Sequence, residues 1–315
     1  MSNLAIAQSR DRTKFIGGSD AAAILGVSPW KTPVELWQDK VGLSAPEIIT
    51  PAKQRAFNRG KRLEPVVLEM VLDKLKEQGH DVECIETNKV YQDVEHDFLQ
   101  CEIDAEFILD GEHINVDMKT VHMFKAKEWG EEGSDDIPIY YSAQFMHGLG
   151  ITKRNRCLCA ALIGYDDVMI YWIERDDETI QAMRNKSVLF WNEHVLKGIP
   201  PDPQTFEDLK HLFAKDQGTE IEATSDIAAA ITDLRAIKQE MGRLEAEERA
   251  LKLEIGAYMK DAAILNYDGK PIATWKAQQR RDFQEKQFKL DHPDLAAQYI
   301  KESTNRVFRL SGRGK

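Results

Sequence analysis

The stretch IDAEFILDGEHINVDMKT, Ile103 to Thr120, decides the fold. Its two halves alternate apolar and polar residues on either side of Asp110-Gly111, the pairing that favours a two-residue hairpin turn. In the first half Ile103, Ala105 and Phe107 alternate with Glu102, Asp104 and Glu106. In the second, Ile114, Val116 and Met118 alternate with Asn115, Asp117 and Lys119. Two adjacent antiparallel strands therefore carry two acids and a lysine on one polar face.

A D-x12-D-x-K pattern has a chemical logic. Phosphodiester hydrolysis needs an acidified water, a neutralised phosphate and help for the leaving alkoxide, and a divalent cation held between carboxylates supplies all three. Magnesium takes oxygen ligands, so Asp104, Asp117 and the Met118 carbonyl are candidates to hold it. Lys119 leaves the strand on the same face as Asp117, where an ammonium can orient the water or help to deprotonate it. The triplet alone is weak, because a chain that is 30% charged produces acid-x-Lys often, and the plainer reading is a solvated charged ladder.

Outward from the hairpin, the chain reads as a mixed α/β region followed by an extension. Ser19 is placed to cap a helix from Asp20, with Gly26 ending it. TPVELWQDKVG reads as a second helix. KRLEPVVLEMVLDKLKEQ, residues 61–78, has a helical apolar stripe with Glu64 near its start and Pro65 in the first turn, where the helix dipole alone would favour the carboxylate. IPIYYSAQFMHGLGIT reads as a helix carrying Gln144, and RCLCAALI and VMIYWIE as strands. Helices flanking largely consecutive strands give an α/β (α+β) class with a central mixed sheet.

PPDPQTFEDLK marks a boundary, dividing the chain into residues 1–205 and 206–315. Residues 225–259 carry apolar side chains spaced by threes and fours, interrupted at Glu248, as a long amphipathic helix with a coiled-coil-like seam would. Packing within its own domain and packing on another chain are equally open. AILNYDGKPIATWK reads as a second hairpin, and the basic run from Lys276 to Lys289 as either a solvated surface or a nucleic-acid contact.

Net charge is −11. By segment the sequence gives +4 for residues 1–65, −14 for 66–137, −6 for 138–267 and +5 for 268–315. The acid concentrates around the opening motif, so an acidic total excludes nucleic acid only weakly. The four cysteines suit neither a disulfide framework nor structural zinc and read as reduced core residues; His122 and His147 lack partners at zinc spacing. No apolar run is long enough to span a membrane and MSNLAIAQSRDRTK lacks a signal-peptide core, so a soluble cytoplasmic protein is expected.

The motifs IGGSDAAAILG, RGKRLEP, IDAEFILDG with VDMKT, and IYYSAQFMHGLGIT occur in this order over residues 10–200. Together they resemble the lambda-type exonucleases, also called YqaJ-like viral recombinase nucleases, which have a PD-(D/E)xK restriction-endonuclease-like core. The later long helix and β-hairpin resemble the C-terminal extension of many phage members. The resemblance implies a Mg2+-dependent enzyme, with Mn2+ as a substitute, that digests one strand of duplex DNA ends in the 5'-to-3' direction and leaves 3' tails for recombination. It also implies a homotrimeric ring, a single-strand annealing protein as partner, and a phage or prophage origin in a bacterial cytoplasm.

By position, the resemblance assigns Asp104, Asp117 and the Met118 carbonyl to the metal, Lys119 to catalysis, Glu64 to the second metal or its water, Gln144 to the edge of the active site, and Arg12 with Ser19 to the 5' phosphate. Two departures stand out. Asp117 replaces the usual Glu, one methylene longer, and Glu102 stands where a serine lies near the phosphate, which a carboxylate would repel. A structure-specific endonuclease of the same superfamily and a non-catalytic DNA-binding protein on a nuclease fold are the competing readings.

Overall fold

The computed structural model describes residues 11–44, 49–164, 167–300 and 304–311, so the N-terminal decapeptide in which a signal segment was sought lies outside it. The chain divides into two compact units, residues 1–212 and 213–315.

The first unit opens with the short helices α1 (Gly18–Ile24) and α2 (Pro33–Lys40) and the long helix α3 (Pro51–Glu77). Strands β1 (Val82–Gln92), β2 (Gln100–Leu109) and β3 (Glu112–Val121) follow. Helix α4 (Ile139–Thr152) then crosses to β4 (Arg156–Ile163) and β5 (Val168–Glu174), and α5 (Asp177–Leu189) and α6 (Phe206–Leu212) close the unit. The five strands lie in chain order in one mixed sheet, antiparallel except where β3 meets β4. That one parallel step needs a crossover, which α4 supplies.

Side-chain alternation sorts the sheet into two faces. Ala105, Phe107, Val116, Leu158 and Ala160 pack with Val67, Val71 and Leu75 of α3, while Cys157, Cys159, Ala161 and Tyr171 pack with Phe145 and Leu149 of α4. The central sheet flanked by helices is the arrangement expected from the sequence. The turn between β2 and β3 has φ of 51° at Asp110 and 85° at Gly111, both left-handed as the two-residue hairpin requires. The polar face of this hairpin is no solvated ladder, however. Glu106 is buried and accepts from Lys89 Nζ at 3.1 Å and the Tyr91 hydroxyl at 2.5 Å, and it pairs with Arg154. Cys101, Cys157 and Cys159 are core residues; Cys84 is only half-buried.

Three local expectations need correction. Ser19 does not cap α1, because the helix already includes Gly18 and Ser19; Asp20 does the capping, accepting from the Gly17 N–H at 3.0 Å. Pro65 is not in a first turn. α3 begins at Pro51, where the Thr50 hydroxyl accepts from the Lys53 N–H at 3.2 Å, so Pro65 lies inside a 27-residue helix and Glu64 is far from the positive end of the dipole. The unit boundary falls after Leu212 rather than residue 205, because Asp208 of α6 is buried and accepts from the Thr32 hydroxyl at 2.5 Å.

Asp93, after β1, fastens the sheet to α5. It accepts from both terminal nitrogens of Arg184, one at 2.6 Å, and from the N–H groups of Glu95 and His96 at 2.9 Å each. Burial alone would raise its pKa, but the guanidinium and the two N–H groups outweigh it and hold the carboxyl well below the ordinary range. A folded pKa below the unfolded one stabilises at pH above the unfolded value, and that stability drains away as pH falls toward the folded value. Asp93→Asn is therefore expected to cost about 2–3 kcal/mol at neutral pH. The gap between the urea midpoints of variant and parent should hold from pH 7 to about pH 4 and narrow only below the unfolded carboxylate value of about 3.9.

The second unit contains α7 (Ser225–Met259), a hairpin of β6 (Ile264–Tyr267) and β7 (Lys270–Thr274), and two short helices, α8 (Glu285–Asp291) and α9 (Pro293–Gln298). Its turn repeats the left-handed Asp-Gly pair, with φ of 49° at Asp268 and 74° at Gly269. In the basic run, Arg280 pairs with Asp282 and Lys289 with Glu285, each at 2.5 Å and exposed. Among the described residues no helix is long and apolar enough to cross a membrane.

Candidate active site

The register of the hairpin places the two aspartates. β2 and β3 pair from Leu109–Glu112 to Ala105–Val116, so the next rung would set Asp104 directly opposite Asp117. The ladder stops there. Instead of a backbone pair, the Asp104 carboxylate fills the gap between the parting strands and accepts from the Met118 N–H at 2.8 Å. N–H and C=O of one strand residue leave on the same side, so the Met118 carbonyl also faces the parting.

Asp117 is buried, and both of its oxygens are engaged. One pairs with the Lys119 ammonium; the other accepts from Gln144 Nε2 of α4 at 2.9 Å. Burial raises the Asp117 pKa, Lys119 pulls it down and Asp104 pushes it back up, leaving it well above the usual carboxylate range. Lys119 is largely buried, which opposes its charge, but Asp117 and Asp104 outweigh burial and hold it protonated. Its ammonium lies 5.1 Å from the centre of the Tyr141 ring and 5.5 Å from that of Phe145. Those aromatic faces suit a cation and shield it from water.

Glu64 comes from α3, in the opposite layer. Burial raises its pKa, the Asp104 carboxylate raises it further, and Glu102 adds to this against Lys61 and Lys119. Its carboxyl therefore stands in the field of the β2–β3 parting. Among the described residues no three His, Cys, Asp or Glu side chains converge closely enough to hold one ion, so Glu64 stands apart from the two aspartates here.

The donor chemistry nevertheless fits a hard divalent cation. Two carboxylates on facing strands, a backbone carbonyl beside them and a third carboxylate in their field are oxygen donors; the pKa of Asp117 and of Glu64 is raised first by burial and then by neighbouring carboxylates, and a bound cation would offset both.

Arg12 and Ser19 belong to the same place. The Arg12 guanidinium donates to the Ser19 hydroxyl at 3.0 Å and to Asp20 at 3.3 Å. Both residues line a cleft of about 290 Å3 together with Glu102, Asp104, Asp117 and Gln144. The lining of the cleft thus combines carboxylates with a guanidinium. Lys119 and Met118 join it through their bonds to Asp117 and Asp104.

Two contributors escape a reading of the sequence. Gly18 lets α1 approach α4: a Cβ there would meet Gln144 Cγ at 2.9 Å. Lys40, at the end of α2, buries its ammonium against the carbonyls of Arg12 (2.7 Å) and Phe15 (2.5 Å) and the Asp20 carboxylate (2.7 Å). A glycine doublet in front of Ser19 is a usable signal for the first. Nothing local signals the second.

Comparison with known proteins yields the following likenesses. Residues 9–155 match the family described as the YqaJ-like viral recombinase domain. A Bacillus subtilis (strain 168) relative, described as uncharacterized protein YqaJ, is 30% identical over 307 residues, covering 95% of this chain and 92% of that protein. Among solved structures, LHK-Exo in complex with dAMP has 19% sequence identity and a TM-score of 0.43, over 64% of this chain and 95% of that one. LHK-Exo is an alkaline exonuclease from Laribacter hongkongensis. A phage-related exonuclease from Haemophilus somnus 129PT has 13% identity and a TM-score of 0.39, over 58% of this chain and 96% of that one.

Proposed function

The chain belongs to the YqaJ-like viral recombinase family, and from that premise we propose that it is a Mg2+-dependent exonuclease, able to use Mn2+, that digests one strand of linear double-stranded DNA from the 5' end. The product is a duplex with a 3' single-stranded tail, which a single-strand annealing protein takes up. The observation that carries the reading is the shared cleft: Arg12 and Ser19 line the same cavity as Asp104, Asp117 and Gln144. A nuclease that starts at a terminal phosphate needs an anion grip next to its hydrolytic centre.

In this reading Asp104, Asp117 and the Met118 carbonyl hold the cation, with Glu64 assisting a second ion or its water. When bound, the ion acidifies water and neutralises charge on the phosphate. Gln144 fixes the Asp117 carboxylate by its 2.9 Å bond, so that one oxygen keeps its aim. Lys119, held as an ammonium, orients the water or meets the negative charge that grows on the phosphate. Arg12 and Ser19 take the terminal 5' phosphate, the guanidinium by charge-assisted hydrogen bonds. Glu102 lines the same cleft and narrows the room for a second anion. The homotrimeric ring belongs to the proposal too, since a closed ring would keep the enzyme on its strand.

Linear duplex labelled at the 5' or 3' end, with Mg2+ or EDTA, tests the activity. Release of 5' label as mononucleotide, with 3' label retained and EDTA inhibiting, is the expected result. Cutting of closed circles would favour an endonuclease, and metal-independent binding without digestion would leave a DNA-binding protein. Arg12→Ala is expected to slow digestion of 5'-phosphorylated ends by about 10- to 100-fold, the loss of a charged hydrogen bond, with little change on 5'-hydroxyl ends. Equal losses on both ends would remove Arg12 from the phosphate grip.

A further inference from the structure

In a chain of net charge −11, the stretch from Trp275 to Lys289 carries five cations, Lys276, Arg280, Arg281, Lys286 and Lys289, against the two acids Asp282 and Glu285. Both acids are engaged within the stretch, Asp282 by Arg280 and Glu285 by Lys289. Lys276, Arg281 and Lys286 are exposed, and among the described residues no carboxylate pairs with them. Three cations are therefore open to an outside anion.

Two held aromatic rings bracket these cations. Trp275 follows β7 and donates its backbone N–H to the Ala263 carbonyl at 3.0 Å. Its ring lies against Gly256 of α7, where an added Cβ would stand 3.4 Å away, so one side of the indole is held while 60% of the residue stays exposed. Phe283 is 71% exposed and rests 5.0 Å from Phe288 of α8, which lies 5.4 Å from His292. A single exposed ring is ordinary, but two held rings around unpaired cations form a surface with its own chemistry. The backbone between them is open. Residues 275–284 belong to no helix or strand, and among the described residues no N–H from Lys276 to Gln284 meets a backbone carbonyl. Such N–H groups donate to phosphate oxygens as readily as side chains do.

We propose that the stretch from Trp275 to Lys289 holds a single-stranded polynucleotide, with bases stacked on Trp275 and Phe283 and phosphates met by Lys276, Arg281 and Lys286. The cations select a polyanion. The rings select among polyanions, because unpaired bases offer their π faces to a side chain, whereas a duplex buries all but its terminal faces in its own stack. An acidic protein segment would use the cations and leave the rings in water. Stacking also tolerates any base, so the surface accepts a strand of arbitrary sequence. In the exonuclease reading that strand is the 3' tail, and this identification alone rests on that reading.

The test is fluorescence anisotropy of labelled oligo(dT) titrated with the full chain in EDTA, where no digestion intervenes. Phe283→Ala is expected to weaken binding about tenfold, the loss of one stacked base, at an unchanged salt slope. Phe283→Trp should keep the affinity, which separates stacking from folding. Arg281→Ala/Lys286→Ala is expected to lower the slope of log affinity against log salt by about 1.4, the loss of two phosphate contacts to a single strand. Blunt duplex should bind the parent and Phe283→Ala alike. Parental oligo(dT) affinity in both variants overturns the proposal. So does an equal loss on duplex for Phe283→Ala, or polyglutamate displacing the label at lower concentration than unlabelled oligo(dT), which reports an acidic protein partner. A parent that binds oligo(dT) through Phe283 but leaves linear duplex intact in Mg2+ upholds the surface and removes the exonuclease reading.

Discussion

Lys119→Ala is expected to lower DNA cleavage by about 10^3-fold, in the range seen when one preorganised charged or hydrogen-bonding group is removed from a transition state. Two losses combine. The substitution removes the cation closest to where phosphate charge grows, and it strips Asp117 of its buried ion-pair partner. Burial and the nearby Asp104 already push the Asp117 carboxyl up; without Lys119 the acid binds its proton more tightly still and is a poorer cation ligand. The sign gives a second readout. A carboxyl with a raised pKa must be deprotonated to work, so residual activity of the variant should climb with pH over a range where the parent has levelled off. Binding to duplex ends, measured by gel shift in Ca2+, should survive, because Arg12 and Ser19 are untouched. A variant that cleaves within a few fold of the parent would remove Lys119 from the chemistry.

How the sequence betrayed this site, and where it did not, follows from the range of the interactions. A two-residue Asp-Gly turn fixes the register of its hairpin, so the facing of Asp104 and Asp117 follows from counting outward from Asp110-Gly111. Gln144 was readable because α4 has a strong apolar composition and a clear start. Glu64 was assigned to the right helix but the wrong turn. The segment from Pro51 to Arg62 is largely exposed and shows no apolar stripe, so periodicity detects α3 only where it meets the sheet.

The long helix of the second unit is equally plain as a helix, but what covers its seam is not legible, since a seam looks alike whether its own domain or another chain covers it. Lys40 was invisible. A lysine at a helix end reads as a solvated residue favoured by the dipole, and only the fold reveals that carbonyls from 25 and 28 residues earlier close over it.

Lys40→Met is expected to destabilise the first unit by about 3–5 kcal/mol, the usual effect of stranding one member of a buried ion pair. An ammonium has three protons to donate, and Lys40 places one each on the Arg12 carbonyl, the Phe15 carbonyl and Asp20, with its side chain only 2% exposed. Burial lowers the Lys40 pKa and Asp20 pulls it back, while Lys40 and Arg12 hold the Asp20 carboxyl down against its own burial. Asp20 also caps α1 through the Gly17 N–H and accepts from Arg12, so the pair sets both the backbone and the guanidinium of the segment that lines the cleft.

Removing both charges separates stability from placement. In Lys40→Met/Asp20→Leu no buried charge is stranded, and part of the lost stability should return, less the cost of the Gly17 N–H and the Arg12 and Phe15 carbonyls left without these partners. The Arg12 backbone would still have lost its tether and the guanidinium its neighbour. Urea unfolding should therefore rank the double variant between Lys40→Met and the parent, while its rate on 5'-phosphorylated ends stays low and its rate on 5'-hydroxyl ends is nearly unchanged. Recovery of both stability and phosphate preference would mean that Lys40 supports the fold alone and leaves Arg12 to find its own position.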